Sequence, residues 1–153
     1  VLEGDEMSAL EIGGAPAMPR VIVGVGFRRD APAASIAQAM NAALGPLCAD
    51  GVAAAADKAV APALAQAAAG LPVTPVSPAA LTAADAGCLT RSARVRALRG
   101  VGSLAEAAAL AAAGPGARLV GPRVSSTDGT ATAAVAVLRA AGSVVADPIG
   151  SGR

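Results

Sequence analysis

More than a quarter of this chain is alanine, and that single fact limits the possible folds more than any motif does. Alanine buries little area, so it lets elements approach one another closely without filling the space between them. The core must therefore rest on a smaller set of large side chains: the Leu, Ile and Val positions, three Met and the lone Phe27. At 153 residues there is room for one such core. One site, or one face, is the expectation.

The hydrophobic pattern supplies the elements. Val21, Ile22, Val23 and Val25 form a β-branched run closed by glycine, the signature of a buried strand. Asp30 follows as an expected N-cap with Pro32 behind it, and Ile36, Met40 and Leu44 make the apolar stripe of a first helix stopped by Gly45-Pro46. A second strand is expected at Val52 to Ala56, although alanine makes it weak by propensity. Pro62 suits the first turn of a second helix ending at Gly70. Leu71 to Val76 reads as an edge strand because of Pro72 and Pro75, and a short helical turn spans Ser77 to Ala84. Ser103 and Glu106 have the spacing of a capping box that opens an Ala-rich helix, closed by Gly114-Pro115-Gly116. Arg118 to Val120 and Thr130 to Val137 are the last strands, separated by a polar turn.

This order predicts an α/β chain, a three-layer α/β/α arrangement with a mostly parallel sheet of about five strands. The final strand lies close enough to its predecessor for an antiparallel hairpin. Residues 1–19 hold Glu3, Asp5, Glu6 and Glu11 with no basic residue before the glycines and prolines that end them, and read as a flexible acidic leader. The domain is expected over 20–140, with 141–153 as a C-terminal tail. No segment reads as a membrane span or a signal peptide, so a cytoplasmic protein is expected.

What is missing excludes several function classes. There is no His, Tyr or Trp, which removes imidazole acid/base catalysis, His-based triads and His-containing zinc sites. With Phe27 the lone aromatic and a net charge of +1, nucleic-acid binding is not expected either. Cys48 and Cys88 have no ligand spacing and are expected to be buried free thiols. No metal site and no cofactor follow.

Gly24 and Gly26 after the first strand suggest a dinucleotide loop, but the third glycine of that fingerprint would fall on Arg29. Lys58, the only lysine, follows Asp57 instead of a glycine-rich loop, so a phosphate-binding P-loop is absent as well. What remains is a tight strand-to-helix turn carrying Arg28 and Arg29, either a generic anion site or a structural turn. Glu106 is a candidate general acid or base, yet its place in the cap explains it without catalysis. Gly102 and Ser103 offer open amides at the same helix start. Arg91, Arg94, Arg96 and Arg99 form the densest charge cluster, either a solvated loop or a basic segment for an acidic ligand. Ser125 to Thr130 reads as a hairpin turn.

Four segments, Val21 to Arg29 (VIVGVGFRR), Asp57-Lys58-Ala59, Leu71-Pro72-Val73 and Gly100 to Leu110 (GVGSLAEAAAL), resemble in order and spacing the CobE/CbiG C-terminal family of cobalamin biosynthesis. The match runs roughly from residue 20 to 138. It implies a three-layer α/β/α domain and a precorrin-type tetrapyrrole partner whose rim carries many acetate and propionate groups. Other enzymes of the pathway are implied as further partners. By position, Gly24, Gly26, Arg28, Lys58, Gly102, Ser103 and Glu106 coincide with the family's motifs, and Phe27 lies inside the first of them. Arg29 and the arginine cluster are added by the charge reading alone. Full-length CbiG proteins open a ring lactone, using further N-terminal regions outside the part resembled here. Two functions follow as expectations: a non-catalytic binder or carrier of a precorrin, and a hydrolase or accessory subunit for the lactone. A nucleotide-binding regulatory domain is disfavoured by the broken glycine fingerprint.

Overall fold

The computed structural model describes residues 20–89 and 103–139. The leader, the arginine cluster, Gly102 and the tail lie outside the described residues. Along the chain run β1 (Arg20–Phe27), α1 (Ala33–Leu44), β2 (Gly51–Ala55), α2 (Pro62–Ala68), β3 (Val73–Val76) and α3 (Pro78–Ala84). A 3-10 turn at Asp85–Gly87 precedes α4 (Leu104–Ala113), β4 (Arg118–Leu119), β5 (Val124–Ser125) and β6 (Ala131–Leu138). Among the described residues the strands form one sheet in the order β3-β2-β1-β6-β4, with β5 also paired to β6.

β1, β2 and β3 are parallel, and β6 runs antiparallel to β1 along its whole length, Arg20 opposite Leu138 and Phe27 opposite Ala131. The expected three-layer α/β arrangement is therefore present. Side chains alternate between two cores. Val21, Val23, Val25, Val52 and Ala54 face α1 and α2, where Ile36, Met40 and Leu64 close the space. Ile22, Ala53, Ala55 and Ala136 face α3 and α4, where Leu81 and the buried alanines of α4 lie. β2 is wholly buried in spite of its alanines, because a central strand covered on both faces is held by its neighbours and not by propensity.

Several expectations need correction. Asp30 does not cap α1: Pro32 takes the N-cap position with no side-chain cap, since proline keeps its predecessor extended and leaves Asp30 too early in the chain. Cys48 is exposed, and only Cys88 is buried. The strand expected at Arg118 to Val120 is present as Arg118–Leu119, but beyond Gly121-Pro122, where proline brings no amide to a ladder, an unexpected second short strand, Val124–Ser125, also pairs with β6. The second of these overlaps the segment read as a turn.

The remainder of that turn is tied to α1. Asp128 accepts hydrogen bonds from the hydroxyls of Ser126 (2.6 Å), Ser35 (2.6 Å) and Thr130 (2.8 Å) and from the Thr130 amide, while Gln38 Oε1 accepts from the Thr127 amide at 2.9 Å. The Ser126 and Ser35 hydroxyls, followed by Thr130, hold the Asp128 carboxyl well below the ordinary carboxylate range. A depressed folded-state pKa contributes stability above the ordinary value of about 4 and loses it as the pH falls toward the folded-state value. Asp128→Asn should therefore lower the melting temperature at neutral pH, and the gap from the parent should close on acidification. A gap that stays constant down to the acid limit would argue against this linkage.

Candidate ligand site at the carboxyl-terminal edge of the sheet

The parallel strands β1 and β2 both end at the same edge, where open α/β sheets offer their crevice to ligands. β1 stops at Phe27, because the chain turns there: the Arg28 amide donates to the Thr130 carbonyl at 2.9 Å, and the Ala31 amide to the Arg28 carbonyl at 3.0 Å. Arg28 and Arg29 are exposed on this turn. After β2 the chain tightens in the same way, with the amides of Lys58 and Ala59 donating to the Ala55 carbonyl at 2.8 and 2.9 Å. That turn brings Lys58 Nζ to 5.2 Å from the centroid of the Phe27 ring. A cation over an aromatic face at this separation is attracted by roughly 0.5–1 kcal/mol at a solvent-facing site.

The glycines of β1 have a different task from the one their spacing suggests. A Cβ on Gly24 would overlap the Ala105 carbonyl oxygen and lie 2.5 Å from the Ala109 amide nitrogen. On Gly26 it would lie 3.2 Å from Thr132 Oγ1 and 3.6 Å from Leu104. The pair is a seat for α4, and its effect on the site is indirect: it draws the first turn of α4 down beside the end of β1. Ser103 caps that turn, fully buried, with Oγ accepting from the Glu106 amide at 3.4 Å.

Glu106 is also fully buried. Its Oε1 accepts from the Leu89 amide at 2.7 Å and its Oε2 from the Arg123 amide at 2.8 Å. Cys88 Sγ, next to Leu89, lies 3.6 Å from the Ser103 carbonyl oxygen. The carboxylate thus fastens two loops to the first turn of α4, a use the capping spacing alone did not disclose.

Of the residues singled out in the sequence, the structure brings Phe27 and Lys58 together beside the exposed Arg28 and Arg29, and it makes Gly24, Gly26, Ser103 and Glu106 buried parts of the contact between β1 and α4, while Gly102 lies outside the described residues. Sequence reasoning missed Arg123, whose backbone Glu106 holds, because a single arginine after Gly-Pro carries no pattern. It also missed Val60, which is 83 % exposed two residues beyond Lys58. A shallow apolar groove of about 420 Å³ between α3 and α4, lined by Ala80, Ala84, Leu110 and Pro115, involves none of the candidate residues. Among the described residues no group of three acidic or cysteine side chains could hold a metal, and no helix is long and apolar enough to cross a membrane.

Comparison with known proteins agrees with this architecture. Residues 21–136 match the family model described as cobalamin synthesis G C-terminus. The crystal structure of CobE, a protein from the cobalamin (vitamin B12) biosynthetic pathway, is similar at 32% identity and a TM-score of 0.72, over 81% of this chain and 94% of that one. The cobalamin biosynthesis protein chiG from Agrobacterium tumefaciens str. C58 is similar at 37% identity and a TM-score of 0.58, over 76% of this chain and 96% of that one. No match was found among curated proteins.

Proposed function

Since the chain belongs to the cobalamin synthesis G C-terminal family, and so to cobalamin biosynthesis, we propose that it binds or carries a carboxylate-rich precorrin intermediate. The observation that carries this reading is the meeting of Lys58 and Phe27, from two different strand ends, beside the exposed Arg28 and Arg29. Guanidinium groups pair with carboxylates in bidentate geometry, and an ammonium adds a point charge. An acid-fringed ring suits that set. The next enzyme of the pathway would receive the ring from this edge.

Opening of a ring lactone, the alternative, requires a group able to take a proton from water. Glu106 is the candidate, and both of its oxygens already accept backbone amides. Binding without turnover is therefore the favoured reading.

Incubation of the pure protein with labelled precorrins tests it: stoichiometric binding with the ring recovered unchanged is expected, whereas a changed product would support the hydrolase. Arg28→Ala should weaken binding about tenfold through loss of one charge-assisted contact, with an unaltered melting temperature because the side chain is exposed. A stable variant with undiminished affinity would remove Arg28 from the site.

A further inference from the structure

The turn after β2 brings an exposed apolar side chain and a cation close together in the chain. Val60 is 83 % exposed, the most exposed large apolar side chain among the described residues. Two positions earlier, Lys58 is held over Phe27 at the end of β1. Between them Ala59 packs against the α1/α2 core, Lys58 is half-buried and Val60 exposed, and the turn is closed by the Ala61 amide donating to the Lys58 carbonyl at 3.0 Å. A cation seated over an aromatic ring and an exposed apolar group two residues further on suit a ligand that has an apolar face and an acidic rim.

Building on the function proposed above, we infer that Lys58 and Val60 form an amphipathic lip that selects the ligand. Val60 covers part of the ring face, and Lys58 pairs with one rim carboxylate. Phe27 is the positioning residue: its ring limits the directions the flexible lysine stem can take, so less freedom is lost when the ammonium meets its partner. The occupant is a carboxylated macrocycle, in preference to an acidic peptide, because the apolar and cationic groups lie two residues apart on one short turn and not along an extended groove.

The test uses two stable stand-ins and fluorescence titration of the intact chain. Uroporphyrin I carries an acetate and a propionate on every pyrrole, and coproporphyrin I has lost the acetate carboxyls. The parent protein should prefer uroporphyrin. Lys58→Met should weaken uroporphyrin binding about tenfold, lessen its preference over coproporphyrin and reduce the salt dependence. Val60→Ser should weaken both porphyrins alike, roughly threefold, from loss of covered apolar area. Phe27→Leu should reproduce part of the Lys58→Met loss of preference, and Phe27→Tyr should restore it, which a merely structural role of the ring would not do. Val60 is exposed, so its variant reports on the lip without disturbing the fold. Parent-like titrations for both Lys58→Met and Val60→Ser would overturn the lip while leaving the functional reading intact. Failure of the parent to bind either porphyrin would overturn both.

Discussion

Gly24→Ala is expected to destabilise the protein by about 3 kcal/mol or more, a large part of the roughly 5–15 kcal/mol that holds a domain of this size together. The added methyl group would overlap the Ala105 carbonyl oxygen and come within 2.9 Å of the Ala109 Cβ. Both are parts of a helix lying on the sheet, so no flexible side chain can swing aside. The whole of α4 would have to lift, and it packs against β1, β2 and β6 at once. Gly26→Ala is the control, because its methyl group meets Thr132 Oγ1 at 3.2 Å and Leu104 side-chain atoms at 3.6 Å, which can give by a few tenths of an ångström. Denaturant midpoints for the two variants should differ widely. Equal, small losses would show that α4 is free to move, and the glycines would regain their claim as a ligand loop.

The same pair explains why the fold was easier to read from the sequence than the site. Hydrophobic period and punctuation marked β1, the stripe of α1, the Pro62 start of α2 and the Ser103 cap, since these depend on local chemistry. A glycine needed for backbone turning and one needed for close helix approach look identical in sequence. Only the tertiary contact distinguishes them. β2 was legible mainly by its place between two helices, because an alanine strand carries no period of its own. β5 was hidden inside a polar run whose hydroxyls are spent on Asp128 and on α1, contacts some ninety residues apart in the chain. The approach of Lys58 to Phe27 is likewise a product of β1 and β2 lying side by side, and neither residue's neighbours announce it.

Glu106 offers the sharpest separation between a structural and a chemical role. Its carboxylate has no exposed surface and serves the amides of Leu89 and Arg123, seventeen residues away on either side. Glu106→Ala should cost roughly 3–5 kcal/mol, since two amides lose an acceptor and a cavity opens beneath the first turn of α4. Glu106→Gln is the more informative change, because it keeps the shape but turns an NH2 group toward an amide that also donates. Two donors facing each other should cost roughly 2 kcal/mol and should free either the Leu89 or the Arg123 amide to exchange with solvent. Hydrogen exchange at those two amides, read beside denaturant stability, checks this directly. A Gln variant of parental stability and protection that nevertheless alters the handling of a precorrin would mean that the carboxyl group acts on the ligand, and the lactone-opening alternative would then displace the carrier.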